Sequence, residues 1–415
     1  MQRKIFSTAV LLLAAACFLS ACGFMGKAGA ARKRTLTFWH WDAGHQEFYE
    51  TLAKNYAGEH EGLNIEICVV PYETYTEEWL REAKAGRTAD VFAIPPEELD
   101  RFMESGRLAY LSYKDIFPGD EKPELLVNSL MKEKAKAVHA AGSMPLIFYN
   151  KDIYEQNRLE VPETLSDFVV NCKILEQASV TPLGMSLSEE GLLEAFDLAD
   201  GLLANGIPLE DTGKTEQDFS KRLKENTGYD KLLGLAMEVS VDKELCADGS
   251  QELMRSFAQE RYAMIPGTTE DLPFLKECMS SRFDWFVLPD EDYTKAGLWK
   301  PELMFGAAKK GKVLKDAKGF LSYMMSAQSQ QQLAEDLGKI PMVRGLEPRE
   351  EDIKRAYDWL SGRTQVYLSC FRTLPQEEKM LCKERLDLVL SGKVTEPEEF
   401  LNEWFAGLEE QQGKK

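Results

Sequence analysis

The chain has 415 residues and a formal charge of −19, from 69 acidic and 50 basic side chains. This excess of acid argues against nucleic acid and against an anionic membrane surface as binding partners. The length predicts about two domains. The eight cysteines include no C-x-x-C pair, so neither a zinc site nor a dense disulfide framework is indicated.

The N-terminal residues have the features of an export signal. Two basic residues precede an apolar run over 5–19 that is too short to span a bilayer as a helix. The run leads into Leu19-Ser20-Ala21-Cys22, which resembles the lipobox of bacterial lipoproteins and implies that Cys22 is acylated. The alternative is an ordinary secretory signal with a chance cysteine. We predict a signal at 1–21, a tether at 22–34 and a lipid anchor that holds the protein on the outer face of the cell membrane.

The cysteines after the tether are irregularly spaced, and we expect them to be buried thiols. A disulfide between Cys370 and Cys382 stays open, because the sequence does not give the distance between them.

Three strands alternate with three helices in the first part of the mature chain. Residues 36–41 form a β-prone aromatic run, 64–70 alternate between polar and apolar, and 89–94 are a short apolar run. Helices are expected over 48–58, after the capping box Thr74-Tyr75-Thr76-Glu77, and over 97–106. The order predicts a parallel sheet with helices on its faces, which is a doubly wound α/β lobe.

A second series of elements begins with a strand over 144–149. Thr164-Leu165-Ser166-Asp167 is a capping box that opens a helix, and a mostly helical region is expected over 191–258. Later elements are predicted to be strands over 262–267 and 283–289, one or two helices over 315–337, and amphipathic helix from Pro348 onward.

Several segments, in chain order, carry a family pattern: Thr35-Leu36-Thr37-Phe38-Trp39-His40-Trp41, Ala85-Gly86-Arg87-Thr88-Ala89-Asp90-Val91-Phe92, Ile147-Phe148-Tyr149-Asn150-Lys151-Asp152, Phe257-Ala258-Gln259-Glu260-Arg261-Tyr262-Ala263-Met264, and Phe320-Leu321-Ser322-Tyr323-Met324-Met325-Ser326 followed by Ile340-Pro341-Met342. Together they resemble the family 1 extracellular solute-binding proteins, the lipoprotein receptors of sugar-importing ABC transporters. One departure is Ala89, where the family usually has proline.

The resemblance implies a type II periplasmic-binding-protein-like fold, with two doubly wound α/β lobes and a ligand cleft between them. Lobe 1 would comprise 36–142 plus 282–327, and lobe 2 would comprise 143–281 plus 328–415. The hinges would lie near 141–143, near 280–281 and near Ala327. It further implies a monomeric receptor, without enzymatic activity or cofactor, that delivers a carbohydrate to ABC permease subunits.

By the same resemblance, ligand contacts fall at Trp41, Asp42, Glu97, Ser143, Thr268 and Thr269. Tyr72 at a strand end and Trp299, which we expect in an exposed loop, are further candidates. Sugars pack an apolar face on an aromatic ring while carboxylates and amides bind their hydroxyls, which suits this set. The two threonines stand where many family members have an aromatic residue, so this chain lacks a common stacking platform of the family.

Other roles are open for four of these residues. Trp41 and Tyr72 are alternatively core packing, Asp42 is alternatively the N-cap of the next helix, and Glu97 is alternatively a solvated helix start.

A metal site at His40, Asp42 and His45 is not expected, because a strand and a helix start do not aim these three at one point. Two other functions compete with sugar import. One is a sensory lipoprotein of the same fold that presents a ligand to a receptor. The other is a hydrolase that uses Asp42 and Glu97 as acid and base.

Overall fold

The structure, a computed structural model, describes residues 33–119, 123–127, 135–186, 250–280, 282–289, 296–363 and 365–368. The predicted signal, Cys22, most of the helical region predicted over 191–258, and the pair Cys370 and Cys382 lie outside these residues. Three cysteines are described as free thiols, and only Cys172 is buried, whereas Cys68 and Cys278 are exposed. The expectation of burial is therefore wrong for the latter two.

The strands of the described residues are β1 (Arg34–His40), β2 (Leu63–Val69), β3 (Val91–Ile94), β4 (Val138–Ser143), β5 (Pro145–Asn150), β6 (Met264–Thr268), β7 (Phe283–Phe286), β8 (Ala296–Ala307), β9 (Ile340–Pro341) and β10 (Gln365–Leu368).

The helices are α1 (Gln46–Gly58), α2 (Tyr72–Lys84), α3 (Leu99–Glu104), α4 (Tyr113–Ile116), α5 (Lys151–Gln156), α6 (Leu165–Gln177), α7 (Ser250–Ala258), α8 (Leu272–Met279), α9 (Leu314–Met324), α10 (Ala327–Leu337) and α11 (Glu351–Ser361). Short 3₁₀ helices cover Ala43–His45, Pro96–Glu98 and Thr269–Asp271. None of these described helices is both long enough and apolar enough to cross a bilayer.

The larger sheet has the strand order β2-β1-β3-β8-β4-β9, and β10 pairs with β8. β1 is parallel to β2 and to β3, as the alternation of strands and helices predicts. β8 runs antiparallel to β3 and β4. Phe38 of β1 makes edge contacts with the rings of Phe305 on β8 and Phe320 on α9, so its side chain lies in the core between the sheet and α9.

A smaller antiparallel sheet has the order β6-β5-β7. β4 of the larger sheet ends at Ser143 and β5 of the smaller one begins at Pro145, so the chain changes sheets at Met144. The return to the larger sheet lies between Phe286 and Ala296, because β7 pairs with β5 and β8 pairs with β4. This differs from the crossing predicted near 280–281. β9 also pairs with β4, although 328–415 was predicted to belong to the other lobe.

Two capping boxes were predicted to start helices, and the structure confirms one of them. The capping box at Thr164 is confirmed, since its side chain accepts from the Asp167 N–H at 3.1 Å and Asp167 accepts from the Thr164 N–H at 3.0 Å. The capping box at Thr74 is wrong, because α2 already begins at Tyr72 with Pro71 as its N-cap residue. The Thr74 hydroxyl instead donates to the Pro71 carbonyl at 3.3 Å within the first turn.

Candidate ligand-binding site

The carboxyl ends of three parallel strands meet at one edge of the larger sheet. β1 lies between β2 and β3, and all three run in the same direction. They are followed by Trp41-Asp42, by Pro71-Tyr72 and by Pro95-Pro96-Glu97. Such an edge is where open α/β sheets hold ligands. The sheet therefore brings together four of the residues that the sequence singled out.

Two of these residues form an aromatic pair. The ring centroids of Trp41 and Tyr72 are 5.5 Å apart, and the ring planes cross at 69°. Trp41 also meets Tyr75 edge-on at 5.0 Å. Tyr75 is fully buried and its hydroxyl donates to the Ala93 carbonyl at 2.8 Å, so a fixed ring packs against Trp41 on its core side. Trp41 is partly buried and Tyr72 is 49% exposed, so this pair reaches solvent.

Glu97 completes this edge from the third strand. The Tyr72 hydroxyl donates to its carboxylate, which links α2 to the 3₁₀ helix after β3. Glu97 is partly exposed. A carboxylate beside two rings offers a hydrogen-bond acceptor next to apolar faces.

Asp42 binds to side chains of the next turns rather than to a helix end. His45 Nδ1 lies 2.9 Å from its carboxylate, and the Tyr49 hydroxyl donates to it at 3.4 Å. The alternative role of Asp42 as N-cap is wrong, because its side chain makes no capping hydrogen bond to the helix that follows. Burial, and then the charge of Asp42, raise the pKa of Tyr49 well above its usual value.

Ser143 lies at the point where the chain changes sheets. It is fully buried, and its hydroxyl donates to Glu302 Oε1 at 2.9 Å. Lys300 Nζ lies 3.5 Å from the same carboxylate oxygen, and both side chains are more than 90% buried. The charges of Lys300 and Glu302 compensate each other within the protein interior. Ser143 is thus a hydrogen-bond partner of a buried ion pair.

Thr268 and Thr269 are buried and engaged in local structure. The Thr268 N–H donates to Asp271 Oδ2 at 2.7 Å, in a capping box that opens the 3₁₀ helix after β6. The Thr269 hydroxyl accepts from the Met144 N–H at 3.2 Å, and the Thr269 N–H donates to the Met144 carbonyl at 3.1 Å. These bonds fix β6 against the crossing between the two sheets.

Trp299 is not in an exposed loop, and that prediction is wrong. It lies inside β8, is fully buried, and packs near His139 with ring centroids 6.4 Å apart. A Cβ on Gly142 would lie 2.6 Å from the Trp299 ring and 2.1 Å from the Lys300 carbonyl, so glycine is required there by close approach. Trp299 therefore fills space between β4 and β8 and does not cap a cleft.

Sequence reasoning missed an ion pair that connects the two sheets. Lys339 precedes β9 of the larger sheet and binds Glu270, which follows β6 of the smaller sheet. Burial by itself lowers the pKa of Lys339, but the charges of Glu270, Glu302 and Asp42 outweigh it and the pKa is raised. The signal in the sequence was faint: an acid directly after Thr268-Thr269 and a lysine directly before Ile340-Pro341.

The histidines at this end of β1 have different surroundings. His40 is 1% exposed, and its two ring nitrogens have no hydrogen-bond partner among the described residues. Burial lowers its pKa to about 4. His45 is on the surface beside Asp42. Across the described ranges, no group of three or more His, Cys, Asp or Glu side chains is placed to hold a metal ion.

Comparison with protein families matches residues 51–357 to bacterial extracellular solute-binding proteins. A curated relative, the multiple sugar-binding protein of Streptococcus mutans serotype c (strain ATCC 700610 / UA159), is 25% identical over 283 residues. The match covers 63% of this chain and 64% of that protein, so it spans less than two thirds of the relative's length.

Solved structures share the fold across nearly the whole chain. The bacterial solute receptor AcbH, described as having an exclusive preference for β-D-galactopyranose, has a TM-score of 0.72 at 17% identity, covering 92% of this chain and 97% of the other. The apo form of RafE from Streptococcus pneumoniae has a TM-score of 0.68 at 19% identity, covering 92% and 98%. These likenesses confirm the periplasmic-binding-protein-like α/β fold.

Proposed function

The chain belongs to the bacterial extracellular solute-binding protein family, whose profile covers residues 51–357 of its 415, and from that membership we propose that it captures a carbohydrate outside the cell and delivers it to an ABC permease. The relative from Streptococcus mutans is named for sugar binding, and one of the similar structures is RafE in complex with raffinose. The aromatic pair of Trp41 and Tyr72 beside Glu97 supports a carbohydrate in particular.

The edge formed by the carboxyl ends of β1, β2 and β3 suits a carbohydrate. A pyranose has apolar C–H faces that pack on aromatic rings and a rim of hydroxyls that donate to carboxylates. Trp41 and Tyr72 supply the rings, whose centroids are 5.5 Å apart. Glu97 supplies the carboxylate, which accepts a hydrogen bond from the Tyr72 hydroxyl. Ser143, Thr268, Thr269 and Trp299 are buried and engaged elsewhere, so we place the primary contacts at Trp41, Tyr72, Glu97 and Asp42.

Isothermal titration calorimetry of the full mature chain against mono- and oligosaccharides tests this function. We expect saturable, reversible binding of at least one sugar without product formation on long incubation. Binding of amino acids, peptides or metal ions with no sugar bound would contradict the carbohydrate assignment. Hydrolysis of a bound sugar would contradict the receptor role, which the family's other binding proteins support.

Trp41→Ala is expected to weaken sugar binding by roughly tenfold, which is the upper range for one aromatic contact beyond its buried area. Calorimetry measures the affinity, and thermal unfolding checks that the variant is folded. Tyr110→Ala is the matched control, since Tyr110 is 54% exposed and its ring lies 5.8 Å from the Lys136 ammonium. If Trp41→Ala binds as tightly as the wild type, the site lies elsewhere.

We further propose that the protein is a monomer held on the membrane by acylation of Cys22. The lipobox-like Leu19-Ser20-Ala21-Cys22 behind an apolar run supports this anchor. Extracytoplasmic placement agrees with the family.

In cells, Cys22→Ala is expected to move most of the protein from the membrane pellet to the soluble fraction. Immunoblots of the two fractions provide the measurement. Cys17→Ala is the matched control, because Cys17 lies within the signal and leaves with it. An unchanged distribution of the Cys22→Ala protein would exclude lipid anchoring at this cysteine.

A further inference from the structure

We propose that Glu97 and Asp42 act as a charge filter on the bound carbohydrate, so that the site selects a sugar that carries a protonated amine and rejects one that carries a carboxylate. This inference rests on the proposed function, because it names the carbohydrate class for the same site.

The ring pair favours a cation. Trp41 and Tyr72 meet edge to face with their planes at 69°, and Tyr72 is half exposed, so part of its ring is open to a ligand. The face of an aromatic ring carries the negative part of its quadrupole and attracts an ammonium group placed over it.

Glu97 adds a full negative charge beside the Tyr72 ring. Its carboxylate accepts from the Tyr72 hydroxyl, which holds it against the ring. The neighbouring acid Glu98 is paired with Arg101 at 3.1 Å, and so is Glu77 at 2.5 Å. Among the residues that the structure describes, no lysine or arginine forms an ion pair with Glu97. Its charge is therefore available to a ligand.

Asp42, the residue directly after Trp41, supplies the second carboxylate. Its partners are His45 and Tyr49. Lys339 lies close enough for Asp42 to raise the pKa of its ammonium group, but Lys339 makes its ion pair with Glu270. The positive charge of Lys339 is thus compensated by Glu270, and Glu97 and Asp42 give the edge a negative charge.

These charges rank sugars by class. A neutral sugar donates hydroxyls to Glu97, whereas an amino sugar gains the same hydrogen bond with the added attraction of opposite charges and of the ring faces. A uronic acid places a like charge beside Glu97, and repulsion of this kind excludes wrong ligands. We expect the amino sugar to bind roughly tenfold more tightly than its neutral counterpart.

Titration with matched sugars tests the ranking. The ligands are glucose, glucosamine and glucuronate, and galactose, galactosamine and galacturonate, each with the full mature chain at pH 7 and low salt. Within a series, the expected order is amine, then neutral sugar, then uronate. A neutral sugar or a uronate that binds as tightly as its amine overturns the charge filter and leaves the proposed function standing. Absence of binding by all six sugars and by the wider sugar panel overturns both.

Glu97→Gln removes the charge of Glu97 and keeps its hydrogen bond to Tyr72, because glutamine has an oxygen that accepts from the Tyr72 hydroxyl. We expect the amine-to-neutral preference to fall from roughly tenfold to about twofold. Affinity for the neutral sugar is expected to fall as well, because its hydroxyls then donate to an uncharged amide oxygen, so the ratio of the two affinities is the readout. Glu98→Gln removes the same charge from the neighbouring, Arg101-paired position and is expected to leave the preference intact. If both variants lower the preference equally, the selectivity comes from the overall charge of the protein, and the assignment to Glu97 is wrong.

Discussion

Replacing Trp79 by alanine is expected to lower the free energy of unfolding by about 3–5 kcal/mol, the usual cost of removing a large buried aromatic side chain. Trp79 is fully buried on α2 and stacks on Phe102, with ring centroids 4.2 Å apart and planes at 27°. Phe92 of β3 lies 4.7 Å away on another side. Alanine would leave a cavity between α2, α3 and the sheet, which these rings cannot close without leaving their positions.

Urea unfolding at pH 7, followed by circular dichroism, measures this loss for Trp79→Ala. The control is Tyr110→Ala, whose exposed ring is expected to contribute less than about 0.5 kcal/mol. A loss below about 1 kcal/mol for Trp79→Ala would show that this part of the core repacks. Because α2 also carries Tyr72 on its first turn, we expect sugar affinity to fall along with stability in this variant.

His40→Phe is expected to remove a stability loss in mild acid. The folded-state pKa of His40 is lowered from 6.5 to about 4 by burial. As the pH falls below 6.5, the unfolded chain takes up a proton at this histidine while the folded chain does not until about pH 4. The free energy of unfolding therefore falls across this window, by about 1.4 kcal/mol for each pKa unit of difference and roughly 3 kcal/mol in all.

Urea unfolding at pH 7, 5.5 and 4.5 compares the wild type with His40→Phe. Phenylalanine suits the position, because the imidazole already lies against aromatic rings, 4.1 Å from that of Tyr49 and 5.4 Å from that of Phe38. His139→Phe provides a parallel case, since burial lowers its pKa to about 4 as well. If His40→Phe loses stability with falling pH as steeply as the wild type, His40 is not the source.

Local patterns predicted the three parallel strands β1, β2 and β3, and the reason is visible in β1. Leu36, Phe38 and His40 are buried in alternation, so the sequence shows the strand without knowledge of its neighbours. β8 was missed because its sequence contains Gly297, Pro301 and two charged residues, which usually interrupt a strand. Those charges are tolerated because Lys300 and Glu302 lie on the same strand and pair with each other. That compensation is a feature of the folded protein.

The site was predictable to the extent that it depends on strand ends. Trp41 ends one predicted strand, Tyr72 and Glu97 follow two others, and parallel strands bring their ends together. Their role in ligand binding stays a prediction. The Lys339–Glu270 pair could not be predicted, because its residues are 69 positions apart and neither occurs in a motif. Trp299 was misplaced because the segment Gly297-Leu298-Trp299-Lys300 has the composition of an exposed loop, and its pairing with β4 is visible only in the fold.

The chain has seven tryptophans, and those among the described residues differ in burial, so their emission responds to two separate events. Trp79 and Trp299 are fully buried, so their fluorescence follows the integrity of the fold, whereas the partly buried Trp41 borders the proposed site. A ligand that packs on Trp41 excludes water from one indole and leaves the buried two unchanged. Emission during a titration would therefore report occupancy, and the same signal during denaturation would report unfolding, without a label attached to the chain.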